Sequence, residues 1–372
     1  MKKKIIISII CFVVLLTCWI GGYFLFKNNN TLWRSDWDIH VLTSIDDEVV
    51  GDSMWCGTFQ LVWNDMVNEV VKQDVVFTPQ LKIVENLNKQ TFTNKELSPN
   101  SYYSKFWLLT LDLKKEIENW IKEKFNETSD ILDQWADWSQ VPQSDDYYEW
   151  KLEKKYWFYA MLKKIFKFEN VFDQLDNWKF NDKYNNIKFF WIKWSSDSRL
   201  YKQVYVYYYN SDSDFAVALK TKEWESVILA RWVKWNSFLD IYDEIKKRGE
   251  IYVWKHNFSS HDYLKVPELN LKKLTEFDKL ENKKFPLAED DQIWKIGKAL
   301  QTIELKLDKE WWEIKSEAWI GITAGSSAAG PVHEIEYRYF YFDKPYVMFL
   351  KEADKDLPYF AAQISDITLF QK

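Results

Sequence analysis

The sequence predicts an α+β protein in which amino-terminal helices pack on large, mostly antiparallel sheets. Residues 59–71 and 113–125 place apolar side chains at helical spacing, so each predicts a helix with one buried face. Beyond residue 150, short apolar or alternating runs between turn residues are typical of strands. Helices first and strands later favour an α+β arrangement over repeated βαβ units. The 372 residues, 47% of them hydrophobic, supply enough apolar material for a large core.

The elements follow in order along the body of the chain. Further helices are predicted over 81–87 and 238–245. The strand-like runs are 75–79, 157–162, 201–209, 214–220, 225–233, 264–271, 303–307, 334–342 and 346–350. Asn210-Ser211-Asp212-Ser213 separates two of these runs and predicts a hairpin. No internal repeat is visible, so these elements belong to one domain rather than to an array.

The amino terminus has the pattern of a membrane segment. Lys2, Lys3 and Lys4 precede an apolar run from Ile5 to Phe26, about 22 residues and long enough to span a bilayer as a helix. The lysines favour the cytoplasmic side, which predicts a cytoplasmic stub over 1–4 and an anchor over 5–26. A tether over 27–50 and a body over 51–372 then lie outside the cytoplasm. A cleaved signal peptide and a lipoprotein processed at Cys18 are the alternatives, and both also place the body outside.

Charge and reactive residues exclude several classes of function. The net charge of −6, with no basic block, argues against nucleic acid as a partner. Two of the three cysteines lie in the apolar run, so Cys56 has no disulfide partner in the body. The four histidines lack paired metal spacing, and neither a Gly-x-Ser-x-Gly elbow nor a phosphate loop is present. The sequence therefore predicts no enzyme, cofactor or metal site.

Tryptophan and glycine counts are abnormal together. The chain has 22 Trp and 9 Gly, whereas ordinary usage would give roughly 26 Gly. Trp178, Trp224 and the pair Trp311-Trp312 stand where turn residues are expected. We interpret many of these tryptophans as glycines of the living organism, encoded by UGA; UGG at most of these codons would contradict this. The alternative is a Trp-rich protein with aromatic ligand sites, such as a carbohydrate binder.

The carboxy-terminal residues carry a resemblance to a known family. Residues 339–350 look like a strand, turn and Pro-aromatic strand, 351–358 like a charged hairpin turn, and 359–364 like a final strand. Upstream, 299–310 looks like a strand that ends in an acidic residue, and Ser316-Glu317-Ala318 follows it. This order resembles the serpin (serine protease inhibitor) family. Weaker matches at 77–79, 157–173, 205–220 and 264–267 extend the resemblance over roughly 51–372, although it is thin between 90 and 150.

The resemblance implies a serpin-like fold with an exposed reactive-centre loop and no catalytic residue. The implied sites are a loop hinge, a scissile region and a shutter-like segment. The hinge residues are Glu310, Ser316, Glu317 and Ala318. The scissile region is Ser326, Ser327, Ala328, Ala329, Gly330 and Pro331, and the shutter-like residues are Phe77, Thr78 and Pro79. The implied partner of this monomer is a serine or cysteine protease with a pocket for small residues.

Serpin action also makes the loop register testable. A cleaved loop inserts into a sheet as a strand, so every second residue must enter the core. One register buries only uncharged residues, namely Ser316, Ala318, Ile320, Ile322 and Ala324. The other register buries Glu313, Lys315 and Glu317, and an unpaired buried charge costs several kcal/mol. The first register is therefore the prediction.

Several departures from the family pattern favour a second function, a non-inhibitory serpin-like binding or scaffolding protein. The chain between Pro79 and the strand at 157 is short, and Thr78 replaces the usual Ser. Trp311 and Trp312 stand where small residues are needed, unless they are glycines, and extra residues near 313–315 precede the hinge triplet.

Overall fold

The computed structural model describes residues 38–126, 130–133, 136–149, 153–231, 236–253, 255–286, 293–309 and 337–371. The predicted stub, anchor and first part of the tether lie outside these ranges. The predicted hinge from Glu310 to Ala318 and the scissile region from Ser326 to Pro331 also lie outside them. Within the described ranges, no helix is both long and apolar enough to cross a membrane.

The described residues contain five α-helices and sixteen strands. The helices are α1 (Gly57–Asp65, continued as a π-helical turn over Met66–Val71), α2 (Lys82–Asn88), α3 (Leu111–Phe125), α4 (Asp130–Asp133) and α5 (Phe238–Ile251). The strands are β1 (His40–Leu42), β2 (Ser53–Cys56), β3 (Tyr102–Leu108), β4 (Glu153–Ile165), β5 (Asp173–Phe180), β6 (Tyr184–Ile192), β7 (Val204–Ser211), β8 (Asp214–Lys220), β9 (Glu225–Arg231), β10 (Asp262–Pro267), β11 (Leu269–Glu276), β12 (Lys284–Pro286), β13 (Ile293–Leu307), β14 (Arg338–Tyr341), β15 (Tyr346–Glu352) and β16 (Phe360–Ile364).

The strands form three sheets. The seven-stranded sheet has the order β1-β2-β16-β15-β9-β8-β7, and the four-stranded sheet has the order β14-β10-β6-β5. The five-stranded sheet has the order β11-β13-β4-β3, with β12 added against β13. Most described pairings are antiparallel, whereas β4 with β13 and β10 with β14 are parallel. The predicted α+β class, with early helices and later, mostly antiparallel sheets, is confirmed.

Helix α1 is buried on nearly every side, and apolar residues recur every three or four positions along the side that faces the five-stranded sheet. Phe59, Val62 and Trp63 are fully buried against the five-stranded sheet. The rings of Phe59 and Trp63 lie 6.4 and 6.2 Å from that of Phe158 on β4. The Trp63 indole N–H also donates to Asn88 Oδ1 at 3.1 Å. This packing places the first turn of α1 directly beneath the centre of that sheet.

Several predicted boundaries were wrong for local reasons. Residues 75–79 are irregular, because Pro79 has no N–H and the Phe77 N–H donates to the Gln80 side chain. The single strand predicted over 264–271 is two strands, β10 and β11, in different sheets. The folded body also begins before residue 51, since Thr43, Ser44 and Asp47 are buried. The predicted tether therefore extends too far along the chain.

Trp224 has the backbone conformation expected of a glycine. It lies in the turn between β8 and β9 with φ of 61°, and 82% of it is exposed. Bulky side chains rarely adopt this left-handed conformation, in which glycine is unstrained. In contrast, Trp55, Trp63 and Trp157 are fully buried packing residues. The geometry thus supports a glycine at position 224. For the other tryptophans the glycine hypothesis stays a prediction.

Trp224→Gly is expected to raise the free energy of unfolding by about 1 kcal/mol, because relief of the left-handed strain exceeds the added freedom of the unfolded chain. Urea denaturation of both proteins measures the difference. The matched control is Trp194→Gly, which removes an exposed tryptophan, 73% accessible, from an ordinary backbone conformation. An equal gain in both variants would show that loss of an exposed indole, and not the turn geometry, is responsible.

Candidate functional site: a parallel strand pair beside a long loop

A pair of parallel strands lies at the centre of the five-stranded sheet. Strands β4 and β13 are in register from Glu153 opposite Ile293 to Ile165 opposite Lys306, with a bulge between Ile296 and Lys298. Their other neighbours, β3 and β11, are antiparallel to them. Parallel pairing is slightly less stable per residue than antiparallel pairing. The sheet therefore has its weaker ladder in the middle.

The predicted loop leaves the sheet from this pair. Strand β13 ends at Leu307, and the chain re-enters the described structure at Tyr337, just before β14 in the four-stranded sheet. A strand formed by residues that follow β13 and turn back would run antiparallel to β13 and also to β4. Its insertion would replace one parallel ladder by two antiparallel ones, and a tight hairpin could join it to β13. The described topology is compatible with one more strand between β4 and β13.

Ionic contacts close the pair near the end from which the loop leaves. Glu304 on β13 lies 3.3 Å from Lys163 on β4 and 3.6 Å from Lys272 on β11. The Phe166 N–H donates to the Lys306 carbonyl at 3.2 Å, which continues the ladder past β4. The Lys163 and Glu304 side chains are largely buried, whereas Lys272 is exposed. The pair between β4 and β13 therefore has to break or rearrange if these strands separate.

Beneath the pair, a buried glutamine joins β13 to the start of α1. Gln301 is fully buried and donates from Nε2 to the Cys56 carbonyl at 3.1 Å and to Thr58 Oγ1 at 2.9 Å. The Cys56 thiol is also fully buried. Burial raises its pKa to about 11, so the thiol stays protonated at neutral pH and is not a nucleophile. These groups position β13 and have no catalytic chemistry of their own.

A second polar cluster ties the same end of β4 to the seven-stranded sheet. Lys164 Nζ lies 2.5 Å from Glu225 Oε1, and both side chains are largely buried. The Tyr359 hydroxyl donates to Glu225 Oε2 at 3.3 Å. Burial raises the pKa of Glu225, and the charge of Lys164 opposes that shift. Any movement of β4 away from β13 must carry this pair along or break it.

The far end of the loop is fixed by a buried ion pair. Arg338, the first residue of β14, donates from Nε and Nη2 to the two oxygens of Asp262 at 2.7 and 2.8 Å. Its remaining donors reach the Lys255 and Asn257 carbonyls. Asp262 is fully buried and also accepts from the Ser259 N–H. Every charged group is therefore compensated, and β14 is anchored where the loop ends.

The shutter-like segment is divided between core and surface. Phe77 is buried in the same apolar cluster as Ile296 and Ala299 of β13, and its ring lies 6.1 Å from that of Phe285. Thr78 and Pro79 are exposed. The structure thus places Phe77 under the five-stranded sheet, beside the strand from which the loop leaves. A shutter role for the three residues remains a prediction.

Sequence reasoning missed Arg338, Asp262, Gln301 and Glu225 as members of this site. For Arg338 a signal was present, because an arginine within an otherwise aromatic strand has to find a partner when that strand is buried. The identity of its partner was not readable, since Asp262 lies 76 residues away along the chain. Sequence alone could therefore have nominated the arginine but not the ion pair.

Comparison with known proteins gave matches among solved structures. No protein-family model and no curated protein matches the chain. Serpin48 from the insect Tenebrio molitor, described as highly specific, is similar with a TM-score of 0.44 and 10% identity over 86% of this chain and 92% of its own. Manduca sexta serine protease inhibitor (serpin)-12 is similar with a TM-score of 0.49 and 13% identity over 87% of this chain and 95% of its own. These values concern the fold and carry nothing about activity.

The chain is similar to these two serpins in fold. Its strand order fits the sequence resemblance, because the strand predicted to enter the loop is β13 and the strands predicted to follow it are β14, β15 and β16. The four-stranded and seven-stranded sheets receive these last strands in turn.

Proposed function

We propose that this chain is a serpin-type protease inhibitor, and not an enzyme, which acts by cleavage of its loop and insertion of the cut loop between β4 and β13. The parallel pairing of these strands, with the loop leaving from β13, is the observation that carries the proposal. Insertion would convert the weakest ladder of the sheet into two stronger ones. The cut loop would then drag an acylated protease with it.

The predicted loop register is compatible with this insertion. In the register that begins at Ser316, the inward residues carry no charge, so burial requires no compensating partner. Opening the strands there separates Glu304 on β13 from the largely buried Lys163 on β4, and the two new ladders have to offset that cost. The free energy gained by the two new ladders can then drive trapping of the protease.

We propose the class of target protease from the composition of the loop. Residues 323–331 contain no Arg, Lys or aromatic residue. A trypsin-like pocket has a buried acid that needs a cationic partner, and leaving it unpaired is costly. A small pocket of the elastase or subtilisin kind accepts Ala328 or Ala329. We propose such a protease as partner of a monomeric inhibitor, anchored by residues 5–26 with its body outside the cytoplasm.

Elastase added to intact cells that express the full chain tests inhibition and location together. A complex of chain and elastase that survives denaturing electrophoresis should appear in the membrane fraction. Elastase with its catalytic serine already blocked should give no complex, because the trap needs an acyl-enzyme. Trypsin should not cut within 323–331.

Two outcomes would contradict different parts of this proposal. Full protection of the body from added protease would overturn the extracytoplasmic location. Cleavage within 323–331 with neither a stable complex nor a rise in melting temperature would overturn inhibition. That outcome would favour the second candidate, a non-inhibitory serpin-like binding protein. The bulky residues Trp311 and Trp312 before the hinge support this candidate.

A further inference from the structure

A row of tyrosines lies on one face of the parallel strands β10 and β14 in the four-stranded sheet. The register of this pair places a tyrosine of β10 opposite a tyrosine of β14. Leu264 and Phe340, their neighbours in sequence, are fully buried, so alternation directs the tyrosines to the other face of the sheet. The tyrosine row consists of Tyr263 on β10, Tyr337 just before β14, and Tyr339 and Tyr341 on β14.

The rings of the tyrosine row contact one another across the two strands. The Tyr263 ring stacks on that of Tyr339, with 5.2 Å between the ring centres and an angle of 22° between the planes. The Tyr341 ring lies 5.5 Å from that of Tyr339, and the Tyr337 ring lies 6.3 Å from that of Tyr263. These separations are those of favourable aromatic pairs. The four rings therefore form one continuous surface.

Buried groups hold the tyrosine row in place. The buried Lys265 places its Nζ 4.0 Å from the centre of the Tyr341 ring. The Tyr339 N–H donates to the Tyr209 hydroxyl at 3.2 Å. Arg338, which stands between two members of the row, is fixed by its ion pair with the buried Asp262. A partner would consequently meet a surface that is ordered in advance, which lowers the entropic cost of binding.

The tyrosine row offers both apolar area and hydrogen-bond donors. Tyr337 is 47% exposed, and the other three rings are half-buried. Within the residues that the structure describes, none of the four hydroxyls makes a hydrogen bond. Burial raises the pKa of Tyr341 to about 12, so its hydroxyl stays a donor at neutral pH. Rigid aromatic side chains with a polar end are typical of protein–protein contact surfaces.

The position of the tyrosine row along the chain indicates which partner would reach it. The proposed scissile region ends at Pro331, and Tyr337 follows six residues later. Six residues span about 20 Å when fully extended. A compact domain of about 200 residues is about 40 Å across. A protease that holds the scissile region in its cleft is therefore large enough to cover Tyr337 and the rings packed beside it.

We propose that the tyrosine row is a second contact surface for the target protease, outside the protease cleft. This inference rests on the proposed function, because it takes the loop to be the segment that enters the cleft. The protease would place an apolar patch on the rings, and hydrogen-bond acceptors at the edge of that patch would meet the tyrosine hydroxyls. The cleft then selects for residues 323–331, and the row selects for the protease surface beside the cleft.

Binding of the full chain to elastase whose catalytic serine is replaced by alanine tests this inference, because such an elastase holds the loop without forming an acyl-enzyme. Tyr337→Ala and Tyr263→Ala should each raise the Kd about tenfold, the scale of a residue at the centre of an interface. Tyr263→Ala is the sharper variant, because Tyr263 belongs to β10 and lies far from the loop in sequence.

Tyr147→Ala is the matched control and should leave the Kd unchanged. Tyr147 is 55% exposed and lies beside Lys155 near the start of β4, whereas the loop leaves from the opposite end of that sheet. Equal Kd values for the wild type and all three variants would overturn this inference alone, and trapping of active elastase would still support the proposed function.

Two further outcomes would also overturn the inference. Failure of the wild type to bind the serine-to-alanine elastase would overturn the proposed function and this inference with it. A wild-type dimer in sedimentation that Tyr337→Ala dissociates would assign the tyrosine row to a second copy of the chain.

Discussion

Replacement of Arg338 by methionine is expected to lower the free energy of unfolding by about 3–5 kcal/mol, the range for breaking a buried ion pair by removal of one partner. Methionine keeps most of the length and apolar volume of the side chain. It leaves Asp262 charged, fully buried and without its bidentate partner. The Lys255 and Asn257 carbonyls lose their donors as well. The effect is large because five acceptor atoms, the Tyr252 hydroxyl among them, depend on one guanidinium.

Urea denaturation of the wild type and the variant measures this loss. The double variant Arg338→Met, Asp262→Leu should recover a large part of it, because no charge is then left buried alone. The matched control is Arg199→Met, which removes the exposed partner of Asp197, and its unfolding midpoint should not move. Equal effects of Arg338→Met and Arg199→Met would show that the buried pair does not anchor β14.

Much of the fold could be predicted from local pattern. The hairpin of β7 and β8 was readable because polar turn residues separate two strand-like runs. Helix α3 was readable from its amphipathic spacing, and the structure extends it by two residues at its start. Both features depend on side chains close together in sequence. Strands β3, β5 and β6 mix polar and apolar residues without such a pattern and were missed.

The pairing of strands could not be predicted in the same way. Residues 264–271 alternate, but the apolar positions shift from even to odd numbers at Pro267-Glu268, where the chain passes from one sheet to another. The parallel neighbours β4 and β13 are likewise far apart in sequence, and the resemblance, not periodicity, identified the strand that enters the loop. Sheet membership depends on partners elsewhere in the chain, and a single sequence does not contain that information in readable form.

The candidate site shows the same limit at the level of side chains. Gln301 reaches Thr58 across 243 residues, and Arg338 reaches Asp262 across 76. Each is an ordinary polar residue in the sequence and gains its role only when folding removes it from water. The register of the loop, which rests on alternation alone, stays a prediction because residues 310–336 lie outside the described ranges.

Ala318→Arg is expected to convert the chain from an inhibitor of elastase into a substrate. In the proposed register Ala318 enters the core when the cut loop inserts, so arginine there would bury a long cation without a counter-charge. That burial costs several kcal/mol. If it raises the free energy of the transition state for insertion by about 1.4 kcal/mol, insertion becomes about tenfold slower. The acyl-enzyme then has time to hydrolyse, and the protease escapes. Elastase should still cut the variant within Ser326–Pro331.

The number of inhibitor molecules consumed per elastase trapped measures how the acyl-enzyme divides between trapping and hydrolysis. It should rise about tenfold or more for Ala318→Arg, with a smaller gain in melting temperature after cleavage. Glu317→Arg is the matched control, because in the same register residue 317 faces outward and its charge stays in solvent. A loss of trapping in Glu317→Arg but not in Ala318→Arg would establish the opposite register. Equal trapping by the wild type and both variants would mean that this segment does not enter the sheet, because one of the two arginines has to be buried if it does.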